Sequence, residues 1–129
     1  ITPIQERHDM SRILVVDDDE LILDMLTEML ETFKYEVSAA SSGPLALASY
    51  ATFHPDMVLL DLQMPGMDGF EVLRHLVNYN PELPVVILTG VADETIAKDA
   101  IAEGATDYIT KPVKWEQLKT VLEVYLLNG

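Results

Sequence analysis

The sequence predicts an α/β fold: a doubly wound sheet of five parallel strands with five helices packed on its two faces. Three observations lead there. Short apolar runs, several of them rich in Val and Ile, recur along the chain; each is followed by a stretch of helical periodicity; and several runs end in Asp, Thr or Lys. Repeated β-then-α units imply right-handed crossovers that put helices on both sides of a parallel sheet.

The first strand is read at 12–17, where Ile13-Leu14-Val15-Val16 forms an unbroken apolar run. A helix follows at 20–33, with Ile22, Met25, Leu26, Met29 and Leu30 on one face at spacings of three and four. The second strand spans 35–40 and the second helix 43–53, opened by Ser42 before Pro44. The third strand, 57–61, begins with four consecutive apolar residues, as suits a parallel strand buried on both faces. The third helix, 69–79, follows Asp68, with Glu71 three residues on. A strand at 84–89 leads to a helix at 94–103 between Asp93 and Gly104, and a last strand at 107–110 to a helix at 114–127. Residues 1–10, with Pro3, Arg7, His8 and Asp9 and no sustained periodicity, read as a tail or linker, so the domain is placed at 11–129. Isoleucine at position 1 is compatible with a chain cut from a longer polypeptide.

A length of 129 residues with 49% hydrophobic content suits one domain with a real core. Cysteine is absent, which removes disulfides and thiolate metal sites from consideration. The apolar runs fall far short of the roughly 18–20 residues of a membrane span, so a cytoplasmic protein without membrane insertion is expected. Twenty-two acidic residues against eight basic ones give a formal charge of -14, which repels a phosphate backbone and argues against direct nucleic-acid binding.

In an open parallel sheet, sites form at the carboxyl ends of the strands. Here those ends carry Asp17-Asp18-Asp19, Asp61, Thr89-Gly90 and Thr110-Lys111-Pro112. Asp19, beside Glu20, reads most simply as a helix N-cap. Asp17, Asp18 and Asp61 are harder to explain that way, because three converging carboxylates repel unless a hard cation or an ammonium group offsets them. Magnesium and Lys111 would supply that offset.

Over residues 11–127 the sequence resembles the receiver domains of bacterial response regulators. The resemblance rests on Val15-Val16-Asp17-Asp18, on Asp61-Leu62-Gln63-Met64-Pro65-Gly66-Met67-Asp68-Gly69, on Leu88-Thr89-Gly90, and on Gly104-Ala105-Thr106-Asp107-Tyr108-Ile109-Thr110-Lys111-Pro112. It implies a flavodoxin-like receiver fold with strand order 2-1-3-4-5. It also implies that Asp61 is the phosphoacceptor, taking a phosphoryl group from a sensor histidine kinase or a histidine phosphotransfer protein in a magnesium-dependent reaction. The metal would be held by Asp18 directly, by Asp61 and the Gln63 backbone carbonyl, and by Asp17 through water. Lys111 would contact a phosphoryl oxygen and the Asp61 carboxylate, while the Thr89 hydroxyl and the Gly90 N–H would contact other phosphoryl oxygens. Thr89 and Tyr108 would form the switch, reshaping the face of the fourth helix, fifth strand and fifth helix to control an output domain, a partner or a receiver homodimer. Catalysis would extend only to the domain's own phosphorylation and dephosphorylation. The resemblance further implies a cis Lys111-Pro112 bond. Gly66 and Gly69 fit a loop needing unusual backbone angles, or more simply an ordinary Gly-Pro turn. Gln63 and Val91 would flank the hydrolytic water without a charge to orient it, which gives an expected phosphoryl half-life of minutes or longer.

Two other readings compete. An aspartyl phosphatase acting on small phosphorylated substrates would typically carry a second acid where Gln63 stands, and a receiver that binds partners without phosphorylation would not need Asp17, Asp18, Asp61, Thr89 and Lys111 together. His8, His54 and His75 show no metal-ligand spacing, Met57, Met64 and Met67 read as core and loop positions, and Trp115 reads as a partly covered surface aromatic.

Overall fold

In the computed structural model, which describes residues 11–90 and 94–127, the strands are β1 (Arg12–Val16), β2 (Glu36–Ala40), β3 (Met57–Asp61), β4 (Val85–Thr89) and β5 (Asp107–Thr110). Between and after them run α1 (Glu20–Thr32), α2 (Gly43–Phe53), α3 (Gly69–Tyr79), α4 (Glu94–Ala102) and α5 (Trp115–Leu122). All strand pairs are parallel and the order is β2-β1-β3-β4-β5, as the resemblance implies. The expected tail at 1–10 and the Asp93 cap lie outside the described residues.

Alternation along the strands divides the core into two layers. Leu14, Val16, Val58, Leu60, Val85 and Ile87 face α2, α3 and α4, whereas Ile13, Val15, Leu59, Val86, Leu88 and Ile109 face α1 and α5. β3 and β4 are buried at every position, which explains their continuous apolar runs.

The caps follow the sequence signals. The Asp19 side chain accepts from the Leu21 N–H at 2.9 Å, Ser42 from the Leu45 N–H at 3.3 Å, and Asp68 from the Glu71 N–H at 2.9 Å. Gly104 ends α4 with φ +112, a conformation that L side chains rarely adopt.

Three details differ from expectation. The inner face of α1 is Leu23, Leu26 and Leu30, while Met25 is 41% exposed. The helix is apolar at so many positions that periodicity alone leaves its rotation open, and the sheet selects the stripe. Gly69 has no positive φ; it is required for space, since a Cβ there would lie 2.3 Å from Leu62 Cα and 2.6 Å from the Asp61 carbonyl oxygen. Gly66 does adopt φ +80, as expected. The last helix is α-helical only to Leu122 and widens into π-helical turns over Glu123–Leu127, where Tyr125 and Leu126 pack against the α1/α5 core layer. No helix among the described residues is long and apolar enough to cross a membrane.

Candidate functional site

The register places the predicted residues on one rim. Val16 pairs with Leu60, so Asp17 and Asp61 leave adjacent strands at the same height. Asp61 pairs with Leu88, and Thr89 with Thr110, which brings the ends of β4 and β5 alongside.

Asp17 is fully buried. Its backbone N–H donates to the Ala40 carbonyl at 3.2 Å, and its Oδ1 accepts from the Asp19 N–H at 2.9 Å. Asp19 thus has two tasks: its side chain caps α1 while its amide orients the Asp17 carboxylate. The cap was legible from the sequence; the second bond depends on how the chain turns out of β1. Asp17 Oδ2 is buried and lies 2.8 Å from Lys111 Nζ, its counter-charge.

Asp61, 5% exposed, accepts from the Gln63 N–H through Oδ1 at 3.0 Å and turns Oδ2 toward Lys111 Nζ at 3.6 Å. Burial pushes its pKa up to about 6, opposed by the Gln63 N–H, then raised by Asp17, lowered by Lys111 and raised by Asp18. Burial alone would lower the Lys111 pKa, but its contacts with Asp17 and Asp61 prevail and hold it above the ordinary range.

Asp18 is exposed, and Asp17, Asp18 and Asp61 each offer a carboxylate oxygen, all within 4.8 Å of one another. A compact all-oxygen donor set fits a hard divalent cation such as magnesium and fits soft metals poorly.

At the other side of the rim, the Thr89 hydroxyl donates to the Gly90 carbonyl at 3.2 Å, and the Lys111 N–H donates to the Thr89 carbonyl at 2.7 Å. The Lys111-Pro112 bond is cis, as expected. A Cβ at Gly90 would meet nothing within 4 Å. Tyr108 is 42% exposed and so lies in an outward position. Gln63 is exposed beside Asp61, and Val91 lies outside the described residues.

The other residues weighed from the sequence lie apart from this rim, His8 being outside the described residues. His54 adopts a left-handed conformation at the end of α2, and His75 lies beside Tyr79 with ring centroids 5.9 Å apart. Met57 and Met64 are buried, and Trp115 is half-buried, stacked on Phe33 at 4.0 Å.

The parallel sheet, acidic rim and facing lysine define a class, and comparison with known proteins agrees with it. The family model for the response regulator receiver domain matches residues 13–123, and the chain belongs to that family, the receiver domains of two-component systems. The response regulator PleD of Caulobacter vibrioides is 44% identical over 105 residues, which are 80% of this chain and 23% of that protein. The regulatory protein AtoC of Escherichia coli is 34% identical over 114 residues, 88% of this chain and 25% of its own length. The chain therefore spans about a quarter of these two relatives. Among solved structures, the receiver domain of NtrX from Brucella abortus superposes with a TM-score of 0.86 at 36% identity, covering 91% of this chain and 99% of that one. A receiver domain protein from Clostridium thermocellum gives 0.86 at 33% identity, covering 92% and 95%.

Proposed function

We propose that this domain is a phosphorylation-controlled switch in which Asp61 accepts a phosphoryl group from the phosphohistidine of a sensor histidine kinase or a histidine phosphotransfer protein. The observation that carries the reading is the convergence of Asp17, Asp18 and Asp61 within 4.8 Å beside Lys111. An Asp61 carboxylate oxygen attacks phosphorus, the phosphorus–nitrogen bond breaks, and the neutral imidazole departs with its electron pair, leaving an acyl phosphate. Asp18, Asp61, the Gln63 carbonyl and, through water, Asp17 would hold magnesium. When bound, the ion supplies charge neutralisation for the transferring oxygens.

The chain's own groups do the positioning. The Gln63 N–H fixes the Asp61 carboxylate, and the buried Asp17 anchors Lys111 near it. The Lys111 ammonium then bonds one phosphoryl oxygen, and the Thr89 hydroxyl and Gly90 N–H bond others. For this the Thr89 hydroxyl must leave the Gly90 carbonyl, vacating space that Tyr108 takes by turning inward. The face of α4, β5 and α5 changes shape as a result and controls an output domain, a partner or a second receiver. Placement in a cytoplasmic signalling pathway, without DNA or membrane contact by this domain, accords with the charge of -14.

Acetyl phosphate and magnesium, followed by intact mass, test the proposal. The wild-type chain gains one phosphoryl group, and Asp61→Ala or chelation of magnesium abolishes the gain. Absence of modification where a control receiver is modified would sink the reading.

A further inference from the structure

The hydroxyl of Tyr125, in the π-helical turn after α5, donates to Asp107 Oδ2 at 2.9 Å. The other oxygen of the same carboxylate accepts the Tyr108 N–H at 2.8 Å. Asp107 is half-buried at the start of β5, an edge strand of four residues paired only with β4. A single side chain therefore bridges the backbone of Tyr108 to the end of the domain. Tyr125 itself packs against the α1/α5 core layer, so its ring is held while its hydroxyl reaches the strand.

From this geometry we infer that Tyr125 is a positioning residue for Tyr108, acting through Asp107, so that the π-helical turn and the switch position move as one unit. The inference rests on the switch reading above for its consequence but not for its geometry. An edge strand has ladder bonds on one side only, so a side-chain tie has more influence over it than over a central strand. The tie stabilises the arrangement in which Tyr108 lies outward. By reciprocity, whatever draws Tyr108 inward loosens the tie and is felt at residues 123–127. A bond to a carboxylate is worth enough to shift such an equilibrium several-fold.

Hydrogen exchange on the whole chain tests this in two arms. Without phosphodonor, Tyr125→Phe, which removes one oxygen and little else, speeds exchange of the Tyr108 amide and the 123–127 amides by about 3- to 10-fold, while β1 and β3 stay unchanged. Asp107→Ala, which also removes the acceptor of the Tyr108 N–H, speeds the same amides at least as much, and adding Tyr125→Phe to it produces no further change, as expected if Tyr125 acts only through Asp107. An unchanged Tyr108 amide in Tyr125→Phe, or additive effects in the double variant, would overturn the inference. In the second arm, acetyl phosphate and magnesium speed exchange at 123–127 in the wild type, and Tyr125→Phe removes this response while still gaining the phosphoryl mass. A response at Tyr108 with none at 123–127 would overturn the coupling. No phosphoryl gain in any variant would count against the proposed function, with the first arm still deciding the Tyr125 contact.

Discussion

The Lys111 ammonium lies closer to Asp17 than to Asp61: Nζ is 2.8 Å from Asp17 Oδ2 and 3.6 Å from Asp61 Oδ2. Lys111 is thus the counter-charge of a fully buried carboxylate before it is a ligand for anything else. Removing one partner of a buried pair leaves the other uncompensated. Lys111→Met should lower metal-free stability by about 2 kcal/mol, somewhat below the range for fully buried pairs because the lysine keeps some solvent contact. Magnesium should recover more stability in the variant than in wild type, since it then neutralises an otherwise unpaired Asp17. Urea unfolding at pH 8, with chelator and with magnesium, checks both; equal metal-free stability of the two proteins would refute the assignment.

Asp61 makes metal-free stability depend on pH. Its folded pKa, about 6 against the usual 3.8, means that the folded state holds the proton more tightly than the unfolded chain. The stability it contributes is complete below about pH 4 and is lost as pH rises through about 6. Asp61→Asn removes the titration, so the variant should show a flatter profile over that window. At pH 8 it should be more stable than wild type by up to about 3 kcal/mol. Thermal unfolding in chelator across pH 4–8 measures this, and parallel profiles would contradict it.

Gly69 seats the start of α3 against the segment that leaves β3. Its N–H donates to the Leu62 carbonyl at 3.1 Å, and a Cβ would press on backbone atoms that cannot rotate away. Gly69→Ala should cost about 3 kcal/mol and slow phosphorylation by acetyl phosphate, because the Asp61 carbonyl must shift. Gly90→Ala, with open space at its Cβ, serves as the control and should leave stability nearly unchanged. Chemical unfolding separates the two variants, and the rate of phosphoryl gain is compared between Gly69→Ala and wild type; equal stability of the two variants would remove the packing argument.

The rotation of α1 can be tested with two truncations. Leu23, 5% exposed, faces the sheet, whereas Met25 is 41% exposed. Leu23→Ala should cost about 2–3 kcal/mol and Met25→Ala below about 1 kcal/mol. A reversed order would restore the face expected from periodicity.

The element order, the caps at Asp19, Ser42 and Asp68, and the rim residues Asp17, Asp61, Thr89 and Lys111 were all legible in the sequence, because each is written within a few neighbouring residues. An apolar run, a cap and its amide, or an acid at a strand end carries its own local signal, and parallel topology then brings the strand ends together. Tertiary structure alone decided the rest. The side of α1 that faces inward, Leu23 in preference to Met25, is chosen by the sheet from a broad apolar arc that takes in both residues. The nearness of Lys111 to Asp17 rather than to Asp61 and the bond from Tyr125 to Asp107 join residues well separated in sequence, while the tight seat of Gly69 depends on how the loop after β3 closes on itself. Such contacts depend on distances between packed elements, and the spacing of residues along the chain carries no record of them.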